Sequence, residues 1–396
     1  MTNASSASAH AASEQRQRLE HVRIGLVGAG FMAKTHSLAY SNARMLGGND
    51  LPSIEPVRVA DVEEELARAA ASRFGWGQST TEWREVTRAP DVDLVDIVTP
   101  NNAHAEIAID AAEHGKHVIC EKPLANTVES AREMHHAVES AGVANQVGFV
   151  FRTWPAVALA KKLVDEGRIG RIFRFRGHYL HDYALDSSFP IGWRASRAVA
   201  GAGSIGDLGS HVIDLARYLV GEIDGVLAHS RTFHAHRPAP QSGAPREVDV
   251  DDATVALLEF EGGASGVIET NWMAAGYKTD LGFELSGEQG AIRFTWRRNN
   301  QLEFYSHSGE EDARGFRSIY VGPMHEGAET FWPVAGQGLG YGDGFTILLG
   351  RLLRALRDGT DVAPNFLDGL RASEVVEAAV RSSESLAWVE VPRDSA

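Results

Sequence analysis

The strongest constraint on the fold is a glycine turn between an apolar stretch and a helical pattern. Residues 23–27 are apolar enough for a buried strand, and residues 31–46 have the periodicity of a helix. Between them, Gly28, Gly30 and Ala33 fit the G-x-G-x-x-A form of the dinucleotide fingerprint. The glycines permit a tight turn and close approach of a pyrophosphate, and the alanine permits close helix packing. The helix N-terminus would offer free amides to the phosphates.

The turn opens an alternation of short apolar runs and amphipathic stretches that continues to residue 150. Further strands are predicted at 57–60, 94–98, 117–120 and 145–149, with helices between them. Such an alternation needs crossover connections, which build a parallel, doubly wound sheet whose ligands bind beyond the carboxyl ends of the strands. Asn126, with Glu129 three residues later, is predicted to cap the helix before the last strand.

The pattern changes after residue 151. We predict a hairpin at 253–272 and further strands at 279–286, 291–296 and 301–306. Helices are predicted at 204–220, 343–357 and 367–385. We therefore predict an α/β protein with an N-terminal Rossmann domain and a C-terminal α+β domain that has a large, mostly antiparallel open sheet. The predicted parts are a disordered tail (1–21, or else a misassigned start), a first domain (22–148) and a second domain (149–396), with a surface loop at 234–246.

Composition argues against several classes of function. The formal net charge of -15 would repel nucleic acid and anionic membranes, so neither is an expected partner. No apolar run approaches the roughly 20 residues that span a bilayer, and residues 1–20 lack the apolar core of a signal peptide. The single cysteine, Cys120, allows no intrachain disulfide and fits a reducing compartment. We expect a cytoplasmic protein.

Asp61 ends the second predicted strand. There, a carboxylate can accept hydrogen bonds from ribose hydroxyls and would repel a 2′-phosphate, so NAD is predicted over NADP. The distance from the glycines exceeds the usual spacing of about 20 residues, which we attribute to an insertion at 47–52. A helix N-cap is an alternative role for Asp61, and the two roles are compatible.

No metal site is predicted. His135 and His136 are adjacent on a predicted helix, and His234 and His236 lie in a loop without a nearby cluster of cysteines or carboxylates. Neither pair has a recognised ligand spacing.

Four segments give the chain a family resemblance: the glycine turn and residues 98–104 (VTPNNAH), 120–125 (CEKPLA) and 206–214 (GDLGSHVID). From residue 22 onward the chain resembles the glucose–fructose oxidoreductase / inositol dehydrogenase (Gfo/Idh/MocA) family. Within that family it is most similar to the sugar dehydrogenases, levoglucosan dehydrogenase among them. The resemblance implies an NAD-binding domain, a second domain that binds substrate and forms a homodimer or homotetramer through its sheet, and an active site between them.

The resemblance also implies functional residues. Lys122 matches the family's catalytic lysine, and Asp207 and His211 match its Asp-x-x-x-His pair. Arg152 occupies the arginine position of an Asn-Tyr-Arg motif whose other two polar residues are replaced here. The predicted cofactor-binding residues are Gly28, Gly30, Phe31, Met32, Ala33, Asp61, Thr99, Pro100, Asn101, His104, Glu121 and Lys122. The predicted substrate-binding residues are Lys122, Arg152, Asp182, Arg194, Asp207 and His211, with Tyr183 and Trp272 as weaker candidates.

Oxidation of a secondary alcohol needs a base for the hydroxyl proton and a nicotinamide that faces the carbinol hydrogen. Asp207 and His211 are four residues apart on a predicted helix and would share one face. Our hypothesis makes His211 the general acid/base and Lys122 the electrostatic partner, with Asp207 positioning the ring. The reverse assignment of Lys122 and His211 stays open. Asp214, on the same stripe, is expected to bind backbone or an arginine.

The predicted function is NAD-dependent hydride transfer to or from a secondary alcohol of a sugar, an anhydrosugar or a cyclitol. One alternative is a glycoside-modifying enzyme that oxidises its sugar transiently. Another is a non-catalytic NAD-binding regulator, which would have no need of Lys122, Asp207 and His211 together. A biliverdin or dihydrodiol reductase is disfavoured, because a polar Asp-His helix suits a polyol better.

Overall fold

Two large β-sheets dominate the computed structural model, which describes residues 18–240 and 242–392. The tail predicted at 1–21 therefore lies mostly outside the described residues. Within the described ranges, no helix is long and apolar enough to cross a membrane.

The first sheet is parallel. Its strands are β1 (His21–Val27), β2 (Ser53–Ala60), β3 (Gln78–Thr80), β4 (Leu94–Ile97), β5 (His117–Cys120) and β6 (Asn145–Val147). Their order is β3-β2-β1-β4-β5-β6. The accompanying helices are α1 (Phe31–Leu46), α2 (Glu64–Phe74), α3 (Arg84–Thr87), α4 (His104–Glu113) and α5 (Val128–Ala141). This order confirms the predicted doubly wound sheet, with its switch point between β1 and β4.

Several details of the first half differ from prediction. Strand β2 begins at Ser53 and not at residue 57, and β6 ends at Val147 and not at residue 149. The sequence did not predict β3, because it is short, polar and mostly exposed. The predicted cap of α5 was wrong by one residue. Thr127 Oγ1 accepts a hydrogen bond from Ser130 N at 3.1 Å, whereas the Asn126 amide donates to Ala198 O at 3.0 Å. Asn126 therefore ties the first half of the chain to the second.

The second half contains the larger sheet. Its strands are β7 (Ile172–Leu180), β8 (Ile223–Arg231), β11 (Ala253–Phe260), β12 (Ser265–Asn271), β13 (Asp280–Gly287), β14 (Gly290–Thr295), β15 (Gln301–Ser306), β16 (Arg317–Tyr320) and β17 (Val389–Glu390). They lie in the order β16-β15-β14-β13-β7-β12-β11-β8-β17, and all neighbours are antiparallel except β7 and β12. The prediction of a large, mostly antiparallel sheet is confirmed. A small hairpin of β9 (His236–Pro238) and β10 (Pro245–Glu247) corrects the loop predicted at 234–246.

The second half of the chain also contains helices. They are α6 (Pro155–Asp165), α7 (Arg197–Ala200), α8 (Ser210–Val220), α9 (Tyr341–Asp358) and α10 (Phe366–Ser385). Along β11, buried and exposed residues alternate: Ala256 and Leu258 are buried, whereas Val255 and Leu257 are 49% and 46% exposed. A period of two is typical of a sheet that is covered on one side only. Helices α6, α8 and α10 pack against this sheet.

The last two helices hold the two sheets together. Helix α9 packs on α1, and α10 packs on α5. Val147 at the end of β6 donates its amide to Pro364 O at 3.0 Å, and Asn145 Oδ1 accepts from Phe366 N at 2.8 Å. The carboxyl ends of the first sheet's strands thereby face the second sheet across a cleft.

Candidate active site

The cleft has a volume of about 1210 Å³. Its walls come from the glycine turn, from the residues that follow β2, β4 and β5, and from β7, the segment before α8, and α9. Pockets for one small ligand commonly measure about 300–1,000 Å³. The cleft therefore has room for a dinucleotide and a second small molecule.

The glycine turn is built for close approach to a ligand. Gly28 has a φ of +104°, and a Cβ there would lie 2.9 Å from the backbone of Val98. At Gly30 an added Cβ would meet no atom of the described chain within 4 Å, so it would project into open space. Helix α1 begins at Phe31, and its N-terminus has no side-chain cap among the described residues. Its first amides remain available to an anion, as a bound pyrophosphate requires.

Asp61 is fixed in the cleft wall beside the glycine turn. Its Oδ2 accepts a hydrogen bond from Ala29 N at 2.7 Å, and its Oδ1 accepts one from Glu63 N at 3.0 Å. Glu63, not Asp61, is the N-cap residue of α2. Each carboxylate oxygen has a second lone pair, so both remain able to accept from ribose hydroxyls.

Lys122 and Asp207 form an ion pair across the cleft. Lys122 Nζ donates to Asp207 Oδ1 at 3.0 Å and to its backbone O at 2.8 Å. Trp272 Nε1 donates to Oδ2 at 3.2 Å, and Arg194 Nε lies 3.9 Å from Oδ1. Burial alone would raise the pKa of Asp207, but Lys122 and Arg194 outweigh it and hold that pKa well below its ordinary value.

The segment that carries Asp207 is a π-helical turn, Ile205–Gly209, which runs directly into α8. The predicted helix around residues 204–220 is confirmed, and its first turn has π-helical geometry. Asp251 shapes this turn, because its carboxylate accepts from Gly203 N at 2.9 Å and from Ile205 N at 3.0 Å. Single π-helical turns are frequent at functional sites.

His211, on the first turn of α8, lines the cleft and is surrounded by aromatic side chains. Its ring lies 4.8 Å from the ring of Phe151 and 5.9 Å from those of Phe149 and Tyr179. Its Nδ1 is buried and finds no hydrogen-bond partner in the described part of the chain. Burial, with a further contribution from Lys122, lowers the pKa of His211 well below its ordinary value. The imidazole is therefore neutral at neutral pH.

The expected contact between Asp207 and His211 is absent. Within residues 18–240 and 242–392, the Asp207 carboxylate bonds to Lys122 and Trp272 and not to His211. The Asp207 carboxylate thus holds Lys122 by a hydrogen bond. Its effect on His211 is electrostatic, because its negative charge raises the pKa of that histidine.

Comparison with known proteins identifies the family. The family described as "Oxidoreductase family, NAD-binding Rossmann fold" matches residues 22–149, and "GFO/IDH/MocA C-terminal domain" matches residues 157–293. Levoglucosan dehydrogenase of Pseudarthrobacter phenanthrenivorans is 43% identical over 392 residues, which cover 96% of this chain and 100% of that protein. The chain belongs to the Gfo/Idh/MocA family. It is an NAD-binding oxidoreductase.

A further relative and a solved structure support the assignment. The scyllo-inositol 2-dehydrogenase (NAD(+)) of Bacillus subtilis is 32% identical over 293 residues, which cover 74% of this chain and 79% of that protein. A solved structure of levoglucosan dehydrogenase in complex with NADH and levoglucosan has a TM-score of 0.91 and 43% identity, and covers 94% of this chain and 100% of that chain. The predicted resemblance to the sugar dehydrogenases of the family is confirmed.

Most of the residues predicted to bind the cofactor line the cleft of this Gfo/Idh/MocA chain, and two lie behind its wall. Those that line it are Gly28, Gly30, Phe31, Met32, Asp61, Thr99, Pro100, Asn101, Glu121 and Lys122. Ala33 is fully buried in the helix–strand packing, as its predicted role requires. His104 is also fully buried, and its ring nitrogens lie 2.9 Å from Thr99 O and 3.1 Å from Pro123 O. His104 therefore ties two loops of the wall together, and its predicted contact with the cofactor is not seen.

Arg152 corrects a predicted substrate contact. Its guanidinium is 7% exposed and donates to Asp214, while a second nitrogen lies 3.1 Å from Asp368. It therefore joins α8 to α10 beneath the cleft and does not line it. Asp214 binds an arginine, as expected.

Asp182 and Arg194 differ in their access to the cleft. Arg194 lines it, with its guanidinium 4.3 Å from the ring of Trp193. Asp182 lies in a neighbouring depression, where it accepts from Lys278 Nζ at 2.8 Å. Asp182 is therefore outside the site in which Lys122 lies.

Several cleft residues were missed by sequence reasoning. Tyr179 and His181, at the end of β7, and Tyr341, at the start of α9, all line the cleft. His181 Nδ1 and the hydroxyl of Tyr183 are buried without a hydrogen-bond partner among the described residues. Polar side chains directly after a predicted strand could have indicated these residues. That pattern led us to propose Asp182 and Tyr183 as substrate contacts, but not His181.

The possibility of a metal site concerns residues 18–240 and 242–392. In that part of the chain, no group of three or more His, Cys, Asp or Glu side chains could hold a metal ion.

Proposed function

We propose that the chain oxidises a secondary alcohol of a sugar, an anhydrosugar or a cyclitol with NAD. The observation that carries the proposal is the convergence of Lys122, Asp207 and His211 on the cleft that the glycine turn opens. The 43% identity to a levoglucosan dehydrogenase favours an anhydrosugar within that class.

The residues present fit a dinucleotide. The open space at Gly30 and the free amides of α1 suit a pyrophosphate, and Asp61 suits an unphosphorylated ribose. Thr99, Pro100 and Lys122 then line the part of the cleft left for the nicotinamide. NAD supplies a hydride acceptor when it is bound.

The residues of the cleft can handle the proton. The neutral imidazole of His211 would accept the hydroxyl proton, and bound NAD would supply the acceptor for the hydride of the carbinol carbon, so that a ketone would be left. Lys122 donates to the reacting oxygen and stabilises its developing negative charge. Asp207 keeps the lysine ammonium in place through two hydrogen bonds.

Unpaired polar atoms favour a polyhydroxylated substrate. Four residues that line the cleft each have a buried polar atom without a hydrogen-bond partner in the described chain: Thr99 Oγ1, His181 Nδ1, Tyr183 OH and His211 Nδ1. Buried polar groups are costly without partners, so each is accounted for if a ligand hydroxyl binds there. The rings of Tyr179, Tyr183 and Trp193 also line the cleft and can pack against the C–H faces of a sugar ring.

The test is a panel of sugars, anhydrosugars and inositols, assayed by NADH absorbance with NAD+ and with NADP+. We expect NADH formation with at least one anhydrosugar or sugar, and its loss in His211→Ala. If no member of the panel is oxidised, the proposal fails. If a glycoside is cleaved without net NADH, the enzyme oxidises its sugar transiently.

We also propose that the open face of the larger sheet forms a homodimer or homotetramer. Val255 and Leu257 are about half exposed on this face. Light scattering should then give a mass of two or four times 42.8 kDa. Leu257→Glu should reduce that mass, and Met45→Glu, at an exposed position on α1, should not.

A further inference from the structure

A buried ion cluster lies directly behind Lys122. His36 of α1 is fully buried, with Nδ1 2.9 Å from Asp96 Oδ2 and Nε2 3.2 Å from Glu121 Oε1. Tyr40 donates its hydroxyl to the same Asp96 oxygen at 2.8 Å. The cluster therefore joins the helix of the glycine turn, the centre of the first sheet and the segment after β5.

The protonation of His36 follows from its partners. Both ring nitrogens face carboxylate oxygens, which accept hydrogen bonds when ionised, so the imidazole donates from both nitrogens and carries a charge. Burial alone would lower the pKa of His36, but Asp96 and Glu121 outweigh it and raise that pKa to about 10. Further titratable or aromatic groups lie around the cluster: Tyr40, Cys120, His104 of α4, Tyr341, and the ring of Phe345 at 5.2 Å from that of His36.

Glu121 has little freedom to move. Its Oε2 accepts from the backbone amide of Lys122 at 3.1 Å. A Cβ on Gly148 would lie only 2.7 Å from Glu121 Oε1, so the carboxylate fills the space beside this glycine. One carboxylate oxygen of Glu121 is thus fixed by His36 and the other by the Lys122 amide, while Glu121 itself forms part of the cleft wall.

We propose that His36 is a positioning residue whose imidazolium clamps Glu121 in the cleft wall and so holds the backbone of Lys122 in place. Because His36 belongs to α1, the same clamp ties the lysine to the helix whose N-terminus faces the pyrophosphate. The geometry of the cofactor's phosphates and that of the reacting oxygen are thereby set by one rigid unit. This inference rests on the proposed function for its activity readout.

The first test is His36→Gln, which replaces the cation with a neutral amide. Two buried carboxylates then lack a shared cation, and Glu121 shifts or takes up a proton. We expect kcat on the best alcohol of the panel to fall by about 10²-fold, the cost of a misplacement of roughly 1 Å. The loss should deepen as the pH rises, because the carboxylates then ionise, and KM for NAD+ should change far less than kcat.

A second variant and a control separate positioning from simple loss of stability. The double variant His36→Gln/Glu121→Gln lacks one of the two carboxylates. The decline of kcat with rising pH that is expected in His36→Gln should therefore disappear in the double variant, even if its activity stays low. His178→Gln removes a histidine that lies 3.6 Å from Asp280 in the larger sheet. It should leave kcat and its pH profile unchanged.

A measurement on the unaltered protein completes the test. In a ¹⁵N spectrum of labelled histidines at about pH 8, above the ordinary histidine pKa, one imidazole should keep both nitrogens protonated. The proposal is overturned if every histidine is neutral there, or if His36→Gln keeps the parent kcat and pH profile. If the unaltered protein oxidises no alcohol, the proposed function is wrong instead. The spectrum still shows whether His36 is protonated.

Discussion

The Lys122 ammonium donates to both the carboxylate and the backbone carbonyl of Asp207, at 3.0 and 2.8 Å. The two hydrogen bonds fix the direction of the lysine side chain and leave its third N–H for a substrate oxygen. Lys122→Met should therefore lower kcat/KM by about 10²–10³-fold, the usual effect of losing one donor to a developing oxyanion. NADH binding, followed by fluorescence titration, should change much less. Full activity of Lys122→Met would exclude this role.

A control for the lysine is available on α6. Lys162 is 68% exposed and lies 3.8 Å from Glu166 one turn later. Exposed pairs of this kind contribute about 0.3–0.5 kcal/mol, so Lys162→Met should leave turnover and NADH affinity unchanged.

The pH profile should show the environment of His211. Burial and Lys122 lower the pKa of this histidine, so the imidazole stays neutral, and able to accept a proton, to below pH ~6.5. The acid limb of kcat for alcohol oxidation should lie below that value. Lys122→Met removes a cation that lowers the His211 pKa, so its acid limb should move to higher pH. Asp207→Asn should move the limb to lower pH, and equal limbs in all three proteins would contradict the assignment.

Replacement of His211 tests its role as the proton acceptor through the size of the loss in kcat. His211→Gln keeps a polar side chain but no titratable base, so kcat should fall by about 10²–10⁴-fold. Its acid limb should vanish. Unchanged turnover together with an unchanged pH profile would exclude His211 as the base and favour Lys122.

Asp61 should decide the choice between NAD and NADP. Its charge would repel a 2′-phosphate, so kcat/KM for NADP+ should be far below that for NAD+. Asp61→Asn keeps an oxygen that can accept from Ala29 N but removes the charge, so it should improve the use of NADP+. Asp61→Ala removes the hydrogen bond as well and should also cost about 1 kcal/mol of stability. A preference of the unaltered enzyme for NADP+ of about tenfold or more (roughly 1.4 kcal/mol) would refute this interpretation.

Arg152 should matter for stability and little for substrate affinity. Its replacement by Met leaves the buried carboxylate of Asp214 without its main partner, and breaking such a pair costs about 3–5 kcal/mol. Denaturation should show that loss, while KM for the sugar stays close to its original value. Arg152→Met with Asp214→Leu should recover much of the stability. A large rise in KM with unchanged stability would restore the predicted substrate contact.

The stability of the fold should also depend on pH through His36. Its pKa is raised to about 10, against about 6.5 in an unfolded chain. The stabilisation is therefore complete below about pH 6.5 and is lost progressively as the pH rises toward 10. Urea unfolding across this range should show a falling free energy of unfolding for the unaltered protein and a flatter curve for His36→Gln. Parallel curves would contradict the raised pKa.

Features encoded locally could be predicted from the sequence. The helix at 31–46 and the strands at 117–120 and 301–306 have the predicted bounds, because each has a clear hydrophobic period and a distinct end. The glycine turn was also local, since its function depends on a few consecutive residues.

Features that depend on distant partners could not be predicted. The π-helical turn under Asp207 is shaped by Asp251, and Arg152 is engaged by Asp214 and Asp368. Periodicity contains no information about such pairings. The clamp at His36 is of the same kind, because Asp96 reaches it from β4 and Glu121 reaches it from the segment after β5.

The packing of α9 on α1 has a consequence for how the protein is made. The wall of the cleft includes Tyr341 and Phe345, which are synthesised about 300 residues after the glycine turn that they face. A nascent chain that has completed the first sheet therefore carries the glycine turn, His36 and Lys122 but lacks the helix that closes over them. The cleft is therefore complete only after α9 has been synthesised and has packed against α1.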